Sequence, residues 1–182
     1  YFKQMWLIVY TVAYFALFTW IDTSYIRKEK ILSNNLIFNL VIGVIMLTQG
    51  LYLLSELRGL YLSYTPNIMY VIIRYIALLA FALLLWQTYK LLDAEAINFK
   101  NNKVRDLVLY GVVLWVVSSE WLHWTELLGA TANYKLGLSI LWVSYGVFML
   151  VKGIHQNKSY MRIASISVIL FTLVKLFFYD IA

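Results

Sequence analysis

Six long apolar runs constrain the fold of this chain more than any other feature of its sequence. They cover residues 5–21, 35–54, 68–87, 107–125, 136–151 and 163–179. An α-helix needs about 20 predominantly apolar residues to cross the hydrocarbon core of a bilayer. A lone strand in that medium would leave its backbone groups without hydrogen-bond partners, so each run is predicted to be a helix.

The composition agrees, because 63% of the residues are hydrophobic and 13% are charged, against about 45–50% and 25% in soluble domains. The sequence therefore predicts an all-α integral membrane protein in which residues 1–182 form a single transmembrane domain of about six helices. The chain has no initiator methionine or signal-peptide pattern, so we expect it to be part of a larger polytopic protein. The residues SNN at 33–35 are predicted to cap the second helix, and LLG at 127–129 to end the fourth.

The basic residues predict an orientation. Those on one side of the predicted membrane are Arg27, Lys28, Lys30, Lys90, Lys100, Lys103, Arg105, Lys152, Lys158 and Arg162, whereas the other side has Lys3, Arg58 and Lys135. Loops rich in lysine and arginine stay in the cytoplasm, which predicts a multi-pass protein of the bacterial cytoplasmic membrane with its basic loops inside. Nucleic acid is excluded as a partner because the positive charge is spread over these short loops and is not gathered on one soluble face.

Four ionisable residues fall within the apolar runs, namely Arg74, Glu120, His123 and Lys175. Such groups cost at least about 2.5–3.5 kcal/mol each at mid-membrane and usually pair or face a wet cavity. With a rise of about 1.5 Å per residue, Glu120, Lys175 and Arg74 all lie about 18–21 Å above the cytoplasmic boundary. Glu56, Arg58, Glu126 and Asp180 are predicted just beyond them, at the outer interface.

Helical spacing places these residues on defined faces. Ser119, Glu120, His123 and Glu126 fall within an arc of about 120° on the fourth helix, and Trp121 and Trp124 fall on another face, predicted to meet lipid. We hypothesise that the third, fourth and sixth helices share a polar pocket with a Glu120–Lys175 or Glu120–Arg74 ion pair.

Small residues suggest where the helices approach each other closely. On the fifth helix Gly137 and Ser144 share one face, and Ser139 and Gly146 share the roughly opposite one. This helix is therefore expected to lie between two neighbours. On the sixth helix Ser165, Thr172, Lys175 and Tyr179 form a polar stripe.

The spacing Glu120-x-x-His123 matches the ligand pair of di-iron helix bundles. Such a site needs a second pair, and the one other histidine, His155, is predicted on the opposite side, so no metal or other cofactor is expected. Without cysteine there is no thiolate ligand or cysteine nucleophile. A histidine–glutamate general base is conceivable, but the sequence fixes no nucleophile beside it.

The last part of the chain resembles a known family. The segments LSILWVSYG, VKGIHQNKSYMR and the ending K-L-x-x-x-D (Lys175 to Asp180), with SEWLHW upstream, are similar to the C-terminal part of the bacterial multi-spanning membrane family "domain of unknown function 2339". The resemblance covers residues 118–182. It implies a longer parent protein and a role for Glu120, His123, Lys175 and Asp180, but no particular activity.

Three functions stay open at this point. The first is a transport, lipid-handling or glycan-handling component of the envelope, whose charged pocket contacts an anionic lipid, a lipid-linked glycan or a proton. The second is a structural or assembly subunit that binds other membrane subunits and in which the polar cluster only fixes helix packing. The third is a membrane-embedded transferase.

Overall fold

The computed structural model describes residues 1–26, 29–63, 68–93, 102–129 and 134–180. The chain divides into two compact units, Tyr1–Arg105 and Asp106–Ala182, called here the first and second unit. The single domain over residues 1–182 stays a prediction.

The described residues are almost entirely helical and contain no strand. The seven α-helices are α1 (Phe2–Ile21), α2 (Glu29–Ile45), α3 (Leu51–Ser63), α4 (Met69–Asp93), α5 (Asn102–Leu127), α6 (Tyr134–His155) and α7 (Ser159–Lys175). Wider π-helical turns follow α1 (Asp22–Ile26), join α2 to α3 (Met46–Gly50) and follow α7 (Leu176–Asp180). The all-helical prediction is confirmed.

Within the described residues, six stretches are long and apolar enough to cross a membrane, as predicted: Phe2–Tyr25, Ile31–Ser63, Met69–Leu92, Lys103–Leu127, Tyr134–His155 and Ser159–Tyr179. The second is much longer than expected because the π-helical turn carries α2 into α3 without a break. Glu56 and Arg58 therefore lie inside a helix and not in a connection. The Arg58 side chain is buried, and its guanidinium donates a hydrogen bond of 3.1 Å to the Ser55 hydroxyl.

The predicted SNN cap is wrong. Helix α2 already begins at Glu29, so residues 33–35 lie within it. Asn35 does not cap a helix end; its amide nitrogen donates a hydrogen bond of 2.6 Å to the Asp22 carboxylate. One turn along, the Asn39 amide donates to the Thr19 hydroxyl at 3.0 Å. All four side chains are buried, so α1 and α2 are joined by two interhelical polar pairs.

Helices α1 and α4 of the first unit pack side by side and run in the same direction. The rings of Phe2 and Tyr70, near the start of each helix, meet edge to face with their centroids 5.6 Å apart. Apolar side chains fill the interior of this unit; the most deeply buried include Met5, Val12, Leu32, Leu54, Leu57, Ile73 and Leu84. Helix α2 runs antiparallel to α1, as its polar pairs with α1 require.

In the second unit α6 lies between α5 and α7, which confirms the prediction from its small residues. A Cβ atom on Gly137 would overlap the Trp121 ring of α5, and one on Gly146 would come within 2.6 Å of Ile169 on α7. Trp121 and Trp124 stay 36% and 49% exposed, in line with the predicted outward face, and the Trp121 ring also packs on α6 at Gly137. The missing side chain of Gly137 makes the room that the indole fills.

A residue with a left-handed backbone conformation follows both α5 and α6. Gly129 has a φ of 67° just after α5, and its N–H donates to the Glu126 carbonyl at 3.1 Å. This confirms that LLG ends the helix. Asn157 has a φ of 52° in the turn between α6 and α7, a conformation that asparagine tolerates better than most residues.

The contact of Gly137 with Trp121 gives a test of the α5–α6 packing. Replacing glycine by alanine inside a helix normally stabilises it by about 0.5–1 kcal/mol. We expect that gain for Gly111→Ala, because a Cβ atom there meets nothing within 4 Å. Gly137→Ala should instead lower the free energy of unfolding by about 1–3 kcal/mol, because the indole must move.

The measurement is the thermal unfolding midpoint of each purified variant in detergent, followed by circular dichroism. Equal effects of the two substitutions would contradict the packing of α5 on α6 at Gly137.

Candidate functional site

Lys175 is the predicted site residue with the clearest surroundings. It is the last residue of α7, and its ammonium group donates hydrogen bonds to the Ser139 hydroxyl at 2.8 Å and to the Lys135 backbone carbonyl at 3.4 Å. Ser139 is buried to 1% exposure on α6. Thr172 and Ser165, on the same stripe of α7, are fully buried. The predicted polar face of α7 therefore packs on α6.

A second lysine, Lys135, lies beside the same tyrosine ring as Lys175. The Lys135 ammonium sits 4.3 Å from the centroid of the Tyr179 ring, and the Lys175 ammonium sits 5.8 Å from the same centroid. Cations are attracted to aromatic rings over distances up to about 6 Å. The two residues, called here the lysine pair, thus share one ring beside the first turn of α6, which begins at Tyr134.

His123 and the two glutamates predicted as site residues lie on α5. The His123 imidazole is 1% exposed and meets the Trp124 ring edge to face at 6.0 Å between centroids. Glu120 and Glu126 are partly buried on the same helix. The burial of His123 agrees with the predicted inward face of α5.

Arg74 belongs to the first unit, on α4, and only 1% of it is exposed. It lies five residues after the first residue of α4, Met69, which is about 8 Å along the axis. The pocket shared by three helices and the Glu120–Lys175 and Glu120–Arg74 ion pairs stay predictions. The Asp180 side chain lies outside the part of the chain that the structure describes.

The described ranges contain no group of three or more histidine, cysteine, aspartate or glutamate side chains that could hold a metal ion. The Glu120-x-x-His123 spacing is therefore not completed by further ligands within those ranges. The arrangement at the lysine pair has a different chemistry, since ammonium groups, a hydroxyl and the start of a helix suit an anion.

Sequence reasoning missed a polar cluster at the other end of the second unit. The Asp106 carboxylate accepts hydrogen bonds from the Lys158 ammonium at 2.8 Å and the Tyr160 hydroxyl at 2.6 Å. Asp106 is buried to 5% exposure at the start of α5, whereas Lys158 lies in the turn before α7. The hydrogen bond that Lys158 donates to the Asp106 carboxylate raises the pKa of the Lys158 ammonium above its usual value.

One signal in the sequence could have indicated this cluster. Asp106 is the last charged residue before the apolar run of α5, and a carboxylate at a membrane boundary is stabilised by a basic partner. Its actual partners are 52 and 54 positions away in the sequence, so spacing along one helix could not identify them. Ser118 was likewise overlooked, although its hydroxyl accepts a hydrogen bond of 2.8 Å from the Trp142 indole.

No protein-family model, curated protein or solved structure matches the chain. The resemblance of residues 118–182 to the family "domain of unknown function 2339" therefore stays a prediction. The function has to be inferred from the arrangement of the residues themselves.

The Asp106 cluster predicts a defined pH dependence of stability. Because folding raises the pKa of Lys158, the stabilisation by this ion pair is fully present below the usual lysine pKa of about 10.5 and is lost as the pH rises through the higher pKa of the folded protein. We expect Asp106→Asn to lower the free energy of unfolding by about 1 kcal/mol between pH 7 and 9. The difference from the wild type should shrink above pH 10.5.

Denaturant titrations at a series of pH values measure this difference. Lys152→Gln is the matched control, because Lys152 lies near the same end of α6 but its ammonium sits over the Tyr110 ring at 5.1 Å and not at Asp106. A difference between Asp106→Asn and the wild type that is already zero at pH 8 would rule out the ion pair as the source of stability.

Proposed function

We propose that this chain is a multi-pass component of the bacterial cytoplasmic membrane that transports or otherwise handles an anionic lipid or lipid-linked glycan. Six helical stretches of membrane-spanning length and composition, found among the described residues, support membrane insertion. The lysine pair is the observation that carries the proposed activity. The basic connections then lie in the cytoplasm, and the lysine pair lies toward the outer face.

The chemistry of the lysine pair favours a phosphate or a similar anion. Two ammonium groups next to one tyrosine ring can both donate to the oxygens of one phosphate. The Ser139 hydroxyl accepts a hydrogen bond of 2.8 Å from the Lys175 ammonium and so helps to hold it in place. The first N–H groups of α6 have no partners within the helix and carry the positive end of its dipole.

The position along the helices agrees with a lipid headgroup. Lys135 is the second residue of α6, and Lys175 ends α7 before its π-helical turn. In a bilayer that spans these helices, both ammonium groups fall near the boundary between hydrocarbon and headgroups, where lysine stems can reach polar groups. A charged headgroup would meet them there without entering the hydrocarbon core.

Binding of a soluble anionic lipid tests the proposal. We expect Lys175→Gln and Lys135→Gln each to weaken the binding of short-chain phosphatidic acid to the purified protein about tenfold, since each removes a charge-assisted hydrogen bond. Isothermal titration calorimetry in neutral detergent gives the dissociation constants. Lys152→Gln, at the other end of α6, should bind as the wild type does.

If both lysine variants keep the affinity of the wild type while their unfolding midpoints fall, the lysine pair is a packing element and the proposal is wrong. Short-chain phosphatidylcholine serves as the zwitterionic control, and its binding should not respond to either substitution.

A structural or assembly role is the second candidate. It is favoured by the hydrogen bond from Lys175 to buried Ser139, which fixes α7 on α6 whether or not a ligand binds. In that case the polar groups of the second unit set helix register and have no substrate.

A double-mutant cycle tests whether Glu120 belongs to this network. We expect Glu120→Gln and Lys175→Met to be coupled by at least about 0.5 kcal/mol in the free energy of unfolding, because directly interacting charges are not additive. The reference is the same cycle on Glu120 and Lys152. If the losses in the free energy of unfolding simply add for Glu120 with Lys175, as they should for Glu120 with Lys152, the predicted Glu120–Lys175 ion pair is wrong.

A further inference from the structure

An open apolar groove runs along the first unit between the parallel helices α1 and α4. Its volume is about 480 Å³. The side chains that line it are Val9, Ala13, Ala16, Leu17 and Trp20 of α1, and Ile76, Leu79, Ala80, Leu83 and Gln87 of α4. Small residues form its floor, since Ala16 and Ala80 are buried, and large apolar residues form its rims.

The rims of this groove stay exposed in the folded chain. Leu17 and Leu79 keep 60% and 64% of their surface accessible, and Leu83 keeps 50%. The groove is therefore open to the medium around the protein, which for helices of this length and composition is the hydrocarbon of a bilayer.

The dimensions of the groove indicate a narrow occupant. Its lining extends from Val9 to Trp20 and from Ile76 to Gln87, which is about 16 Å along each axis and close to half of a ~30 Å hydrocarbon core. A volume of about 480 Å³ spread over that length has a mean cross-section of about 30 Å². A helix 10 Å across has a cross-section of about 80 Å² and would stand largely outside the groove.

One end of the groove is polar and positively charged. Gln87 closes it on α4, and one turn further Lys90 is exposed with its ammonium 5.4 Å from the centroid of the Trp86 ring. Because α1 and α4 run in the same direction, α1 ends on the same side of the first unit. Tryptophan and lysine at a helix end are typical of the membrane–water interface.

We propose that this groove binds one acyl chain of an anionic phospholipid, whose phosphate contacts Lys90. The apolar lining and the length of half a bilayer suit the acyl chain, and the basic end suits a negatively charged headgroup. The site lies in the first unit and uses none of the residues of the lysine pair, so it does not depend on the activity proposed above.

Native mass spectrometry of the purified full chain, titrated with phosphatidylglycerol and with phosphatidylcholine, tests the proposal. The wild type should retain phosphatidylglycerol more tightly than phosphatidylcholine. Lys90→Gln should weaken phosphatidylglycerol binding about fivefold and leave phosphatidylcholine unchanged. Ala80→Leu, which fills the floor of the groove, should weaken the binding of both lipids.

The matched controls are Ala82→Leu and Lys3→Gln. Ala82 is exposed on α4 but does not line the groove, and Lys3 is an exposed lysine near the opposite end of α1. Both variants should bind lipid as the wild type does. Circular dichroism shows whether Ala80→Leu is folded. If it is not, Lys90→Gln still tests the headgroup contact, because Lys90 is exposed.

Equal binding of phosphatidylglycerol by the wild type and Lys90→Gln would overturn the headgroup contact. Lipid binding unchanged by Ala80→Leu in a folded protein would overturn the groove as the site. A dimer in the wild type that Ala80→Leu dissociates would show that a second copy of the chain, and not an acyl chain, occupies the groove. Failure of the lysine-pair proposal would leave each of these results unaffected, because Lys135 and Lys175 are intact in every variant.

Discussion

The structure depends on one constraint, that polar side chains on apolar helices must find their partners on neighbouring helices. Thr19 and Asp22 lie three residues apart on one helix and its π-helical turn, and they meet Asn39 and Asn35, four residues apart on the next. A shift of α2 by one residue would separate both pairs at once. Such hydrogen bonds contribute only about 0.6 kcal/mol each on average, but every wrong register also leaves polar groups buried without partners. The polar residues therefore select a register that apolar packing alone would leave open.

Glycine supplies the complementary constraint in the second unit. Gly137 and Gly146 bring α6 against α5 and α7 on different faces. A Cβ atom added to Gly153 would lie 3.1 Å from the backbone nitrogen of Arg162, near the start of α7. In lipid there is no hydrophobic driving force between helices, so close van der Waals contact has to hold them together. Close approach also brings Ser139 within hydrogen-bond reach of Lys175. The position of the lysine pair is thus a consequence of the small residues of α6.

Much of this architecture is visible in the sequence, but the partners of its polar residues are not. The apolar runs predict six spans, the small residues of α6 predict its two neighbours, and Gly129 predicts the end of α5. Spacing along one helix cannot show that Asp106 meets Lys158, because that contact depends on how three helices end together. The residues between Ile45 and Leu51 likewise carry no pattern that predicts a π-helical turn leading from α2 into α3. The spacing of about 100° per residue predicts the outward face of Trp121, but not its contact with α6, because that contact depends on the room left by Gly137 on another helix.

Lysine has different neighbours at the two ends of the second unit, and this difference bears on function. At one end Lys158 is held by a buried carboxylate, Asp106, and by the neighbouring Tyr160 hydroxyl on the same oxygen, an arrangement in which charge is balanced locally. At the other end Lys135 and Lys175 both approach the Tyr179 ring. A joint that only fixed helix packing needs one such lysine, because the hydrogen bond from Lys175 to Ser139 already holds α7 on α6. A site for a negatively charged headgroup would gain from each of them, because a phosphate has several oxygens and can accept from both. The presence of two lysines at one ring therefore favours a binding site over a purely structural contact between helices, and it does so more than the burial of either lysine.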